Sequence, residues 1–79
     1  MKVKMFYKTQ RELAEVINIL IDGYWEDDIT EEKMIQYIKL LYGNNKSKFI
    51  KDGEFTTVLR QQCGKRRLEV VEKLIVNRR

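Results

Sequence analysis

Lys65, Arg66 and Arg67 stand in an unbroken row directly after Gly64, with Arg60 four residues before the glycine and Lys73 two turns beyond Lys65. What such a row can do depends on where a helix begins. The free N–H groups at a helix N-terminus carry about half a positive charge, so cations in the first turn cost a few tenths of a kcal/mol each. A bound anion reverses that sign, because backbone donors, dipole and side chains then converge on one phosphate. Arg60, Lys65, Arg66, Arg67 and Lys73 are therefore the candidate nucleic-acid-binding residues, with Arg78 and Arg79 widening the footprint. The competing reading is three solvated cations on a helix rim, tolerated because the penalty is small.

The elements that must position these cations follow from apolar spacing. Before the glycine, Phe55, Val58, Leu59 and Cys63 fall on one helical face; after it, Leu68, Val71, Leu74 and Ile75 do the same. Gly64 accepts the positive φ that stops the first helix. The stretch predicts helix, sharp turn, helix, the outline of a general helical corner and of a DNA-binding helix-turn-helix. In the latter, the position four before the turn glycine is small, commonly alanine; Arg60 departs from that pattern.

Two further helices precede this corner. Thr9 and Glu12 have the spacing of a capping box, and Leu13, Val16, Ile17, Leu20, Ile21 and Tyr24 keep the 3.6-residue beat after it. Trp25 at the end of that run reads as a lid on the core. Thr30 caps the next helix, with Glu31 and Glu32 at its favourable end and Met34, Ile35, Tyr37, Ile38, Leu41 and Tyr42 as its stripe. Helices are expected over residues 10–25, 30–42, 54–63 and 65–76, after a short N-terminal arm in which Val3, Met5 and Phe6 pack and Lys2, Lys4 and Lys8 are exposed. Asp52 and Gly53 raise an alternative, since Asp-Gly between apolar runs signals a two-residue hairpin. In that alternative the N-terminal arm is a third strand. The expected fold class is all-α: one domain over residues 1–79, a small four-helix domain with a helix-turn-helix-like C-terminal corner.

Composition narrows the function classes. At 79 residues the core is small, and the single cysteine excludes an internal disulfide and suits a reducing cytoplasm. There is no histidine, which removes Ser-His and Cys-His pairs and histidine-ligated metal sites. The acids of residues 26–32 lack the spacing of a calcium loop, and helix capping accounts for most of them. Cys63 has cationic neighbours that can activate a thiol, but its place in an apolar stripe makes it a buried structural one. The chain thus reads as a cytoplasmic non-enzyme with no catalytic residue, metal, cofactor or membrane span. Its charge is uneven: residues 1–43 carry six Lys/Arg against eight Asp/Glu, and residues 44–79 carry ten against four. Such a division orients a molecule in the field of a polyanion. It also fits a mixed-charge protein partner or head-to-tail stacking with a second copy.

The segments FYKTQRELA (residues 6–14) and DGEFTTVLRQQCGKRRLEVV (residues 52–71) resemble a family of small, uncharacterised proteins of about this length from Gram-positive bacteria, clostridia among them. The resemblance covers most of the chain, with the central acidic stretch least distinctive. It implies a bacterial cytosolic protein and assigns no activity, cofactor or catalytic residue. The leading expectation is a small nucleic-acid-binding accessory or regulatory protein using the basic C-terminal helix pair. The alternative is a protein–protein interaction module (adaptor, inhibitor or antitoxin-like), a structural homodimer included.

Overall fold

Thr9 opens the first helix as its spacing implies: its hydroxyl accepts the Glu12 N–H at 3.1 Å, satisfying one donor that the first turn leaves without a partner. The computed structural model describes residues 7–76. Of the expected arm only buried Tyr7 and exposed Lys8 are described; the rest lies outside the described residues, as do Arg78 and Arg79. Helix α1 spans Gln10–Trp25 and buries Leu13, Ala14, Ile17, Leu20 and Ile21. It ends in a Schellman turn. The Asp28 N–H reaches the Gly23 carbonyl at 2.7 Å and the Asp27 N–H the Tyr24 carbonyl at 3.2 Å, while Asp27 takes the left-handed conformation at φ 63°. Glycine is the usual residue at that position, and here an aspartate holds it.

Helix α2 spans Glu31–Asn44, capped by the Thr30 hydroxyl on the Lys33 N–H, and buries Met34, Ile38 and Leu41. Two asparagines stop it. The side-chain amides of Asn44 and Asn45 donate to the Leu40 and Leu41 carbonyls, the second an acceptor that the helix end leaves open. Buried Asn45 also accepts the Tyr7 N–H through Oδ1, tying the start of the described chain to its middle.

The third quarter departs from expectation. A four-residue helix, α3, covers Lys46–Phe49 and delivers Phe49 fully buried to the core, edge-on to Tyr42 with ring centroids 5.3 Å apart. A minimal hairpin follows, β1 (Ile50–Lys51) against β2 (Glu54–Phe55), with Ile50 opposite Phe55 and Lys51 opposite Glu54. Asp52 and Gly53 form the turn at φ 55° and 82°, the two positive values a type I′ loop demands. The helix expected at 54–63 therefore begins later, because Glu54 and Phe55 are strand. Thr56 caps it, accepting the Leu59 N–H at 3.4 Å. The run Thr57–Val76, α4, is divided at Gly64 by a non-helical backbone into two helical halves, so the expected break between the two C-terminal helices is where the spacing put it.

Leu59, Cys63, Leu68 and Val71 of α4 close the core over α1 and α2. Each fully buried aliphatic side chain here contributes about 1.5–3 kcal/mol of transfer free energy. The all-α class holds in outline, with a two-stranded hairpin added to it.

Candidate functional site

Gly64 has φ 82° and ψ 168°, a region of backbone space that essentially only glycine enters. The break leaves carbonyls of the preceding half, residues 57–63, without their helical partners. Side chains supply two replacements. Asn18 of α1 donates its Nδ2 to the Gln62 carbonyl at 3.0 Å, and Arg67 donates an Nη to the Cys63 carbonyl at 2.9 Å. The rest of the Arg67 fork grips Asp22 of α1 in a bidentate pair at 2.9 and 2.8 Å.

That arrangement explains the charges. Arg67 lies at the unfavourable N-terminal end of the second half, yet it also touches the C-terminal carbonyls of the first, where a cation is favoured. Its hydrogen bonds hold the Asp22 carboxyl below the usual carboxylate range, and Asp22 in turn raises Arg67. Next to it the Cys63 thiol is buried and donates towards the Ala14 carbonyl at 3.7 Å. Desolvation pushes that thiol up to about 11, with Arg67 opposing, so at neutral pH it is a protonated core residue. Asn18 Oδ1 is buried with no hydrogen-bond partner among the described residues.

The other candidate cations take different directions. The Arg66 guanidinium lies 5.8 Å from the centroid of the Trp25 ring. Trp25 is 46 % exposed, so it is not the core lid its position suggested; its ring packs against Arg66 at the end of α1 instead. Arg60, exposed, pairs with Glu54 of β2 at 3.3 Å and approaches the Thr57 hydroxyl at 3.5 Å. Arg60 and Lys65 both line a groove of about 370 Å³ floored by Phe55 and Leu68, with Gly64 at the elbow and Glu69 and Glu72 on the far rim. Arg60 and Glu72 also share a second depression with Ile50, Gly53 and Ile75. In a straight helix their spacing would be about 18 Å. The second half of α4 therefore bends back towards the hairpin, and the groove lies inside the bend. Lys73 is exposed two turns past Lys65, with Glu69 midway between them.

Of the five candidates, then, Arg60 and Lys65 share the groove, Arg66 and Arg67 face the end of α1, and Lys73 stands apart. Sequence reasoning missed Asp22 and Asn18 as partners of the corner. Their spacing carried a signal: Asn18, Asp22 and Trp25 fall at i, i+4 and i+7, one stripe beside the apolar face of α1, which is where a packed neighbour is met. Among the described residues no His, Cys, Asp and Glu side chains gather as a metal-binding group, and no helix is long and apolar enough to cross a membrane.

Residues 4–76 match the CLB_0814_fam family, whose description is conserved hypothetical protein. No curated protein and no solved structure matches the chain. The match spans nearly the whole sequence, and the chain belongs to that family.

Proposed function

We propose that this member of the family is a protein–protein interaction module, binding rather than catalytic. One observation carries the reading. Ile19 and Trp25, the two most exposed large apolar side chains among the described residues, both lie on the last turns of α1, and Arg66 steadies the Trp25 ring. Tryptophan and arginine dominate the energetic centres of protein interfaces, because they combine a large desolvated area with a polar edge. The test is capture of a protein partner from native extract in the presence of nuclease. Trp25→Ala combined with Arg66→Ala should remove at least about tenfold of the affinity while leaving the circular dichroism spectrum unchanged. Undiminished capture by the double variant removes Trp25 and Arg66 from the interface.

A second reading, nucleic-acid binding through a helix-turn-helix-like corner, is supported by Arg60 and Lys65 flanking the bend at Gly64. Of the five candidates, Lys65, Arg66 and Lys73 make no ion pair with the described residues, and Arg66 is engaged by the Trp25 ring, which leaves the two lysines as the cations to test. On this reading the affinity falls steeply with salt, each neutralised phosphate on duplex DNA adding about 0.9 to the log–log slope. Lys65→Ala with Lys73→Ala should make that slope shallower by about one unit for each phosphate no longer neutralised. An unchanged slope excludes these two lysines.

A further inference from the structure

The Schellman turn after α1 folds the chain back so that Ile29 lies beside Gly23. A Cβ built on Gly23 would sit 3.6 Å from Ile29 Cγ1, at ordinary van der Waals distance. A shallow cleft of about 490 Å³ opens there, lined by Ile19, Asp22, Gly23, Glu26, Asp28 and Ile29. Its floor is apolar: Ile19, at 53 % exposure, and Ile29, half-buried.

What covers such a floor is decided by the potential above it. Residues 22–32 contain six carboxylates and no Lys or Arg, in a chain whose net charge is +4. Glu26, Asp27 and Asp28 follow directly on the C-terminal end of α1, where the helix dipole is itself negative. Dipole and carboxylates therefore add, and the ion pair that reaches the cleft's lining, Arg67 with Asp22, neutralises that carboxylate alone. An apolar floor under a negative rim repels nucleic acid and suits a segment carrying aliphatic side chains one helical turn from Lys or Arg.

We propose that the Ile19–Gly23–Ile29 cleft docks a cationic amphipathic helix of a partner protein. The proposal rests on the interaction-module reading and names the chemistry of the partner and where it sits. An aliphatic side chain of the partner fills the floor between Ile19 and Ile29, and its cations meet Glu26 and Asp28.

The probe is a synthetic amphipathic helix with one leucine face and one lysine face, titrated into the intact protein at physiological salt and followed by calorimetry. The wild type should bind it in a saturable one-to-one manner, and a leucine/glutamate helix should not bind. Two variants separate the cleft from mere charge. Ile19→Glu adds a carboxylate while destroying the floor, so cleft docking predicts a loss of at least about tenfold, whereas charge attraction alone predicts a gain. Gly23→Leu fills the cleft without changing its charge and should weaken the peptide similarly; its Cβ meets no steric bar. The proposal is overturned if Ile19→Glu binds as tightly as the wild type or tighter. It is also overturned if the protein alone self-associates and Ile19→Glu restores the monomer, for then the occupant is a second copy. Extract capture that depends on Trp25 and Arg66 but survives Ile19→Glu keeps the interaction module and sinks the cleft. Peptide binding with no captured partner overturns the interaction module and, with it, the assignment of the cleft to a partner protein.

Discussion

Towards α1, the Gly64 corner is closed: Asn18 Nδ2, Asp22, Arg67 and the carbonyls of Gln62 and Cys63 pair across two elements, with Asn18 Oδ1 left unpaired among the described residues. Towards the hairpin, the same corner is open, with Arg60 and Lys65 standing over an apolar floor of Phe55 and Leu68. Residues two apart in one cationic row thus have different occupations, Lys65 on the open side and Arg67 on the closed one. The difference teaches that a charge is defined by the orphan groups it can reach. A helix interruption creates such groups on both its flanks, acceptors behind and donors ahead. A cation just after the break can serve the acceptors behind it and so be fixed, or remain in solvent as Lys65 does.

Three substitutions break or sharpen that contrast. The largest effect is expected from Gly64→Ala. No atom lies within 4 Å of the site a Cβ would take, so the cost is backbone alone. It should be about 1–3 kcal/mol, or a fall of several degrees in Tm by thermal melting. A neutral result would mean that the two halves of α4 tolerate another geometry at the joint, and that the closed side is not fixed by it.

Arg67→Ala ranks second. It removes a bidentate pair and a carbonyl cap, but both side chains are partly solvated and screened, so the expected loss is roughly 1 kcal/mol. Lys65→Ala on the open side should stay within about 0.5 kcal/mol of the wild type. Equal losses in parallel denaturant titrations would erase the distinction between the two sides.

The smallest effect is one of pH. The Asp22 carboxyl is lowered in the folded state, chiefly by its hydrogen bonds from Arg67. Its contribution is therefore fully present above the ordinary carboxylate value of 3.8 and is lost as pH falls through the lowered folded value beneath it. The stability gap between the wild type and Asp22→Asn should be constant from neutral pH down to the ordinary carboxylate range and shrink below it. A gap that instead opens on acidification would contradict the pair.

Much of the fold is legible in residue spacing. Thr9 and Thr30 announce their helices through hydroxyls placed three residues before an open N–H, and the stripes of α1 and α2 follow the apolar beat. The hairpin is legible too, but it competes with a helical pattern that shares Phe55, and local spacing cannot rank two elements claiming one residue. Tertiary pairing decides: the Thr56 N–H bonds the Phe49 carbonyl, which puts residues 50–55 into the hairpin and starts α4 afterwards. The candidate site is legible only as a set of cations. Whether Arg67 meets a phosphate or a carboxylate depends on Asp22, 45 residues away, and that encounter exists only once α1 and α4 are packed. Trp25 escapes burial for a related reason. Apolar size favours the interior, but the α1 stripe already fills the core with Leu13, Ile17, Leu20 and Ile21.

Thr56 ties the hairpin to the first turn of α4. It is 6 % exposed, its hydroxyl donates to the Lys48 carbonyl at 3.2 Å and accepts the Leu59 N–H, and its own carbonyl receives the Arg60 N–H at 3.0 Å. A helix must fix a whole turn before its first hydrogen bond rewards it. Here Thr56 is held against α3 by the strand that precedes it, with both its oxygens engaged by the first turn of α4. Part of the ordering that nucleation requires is therefore shared with the hairpin. Residues 48–60 consequently behave as one cooperative unit: their amides should exchange with solvent together, and loosening the hairpin should unravel the start of α4 along with it.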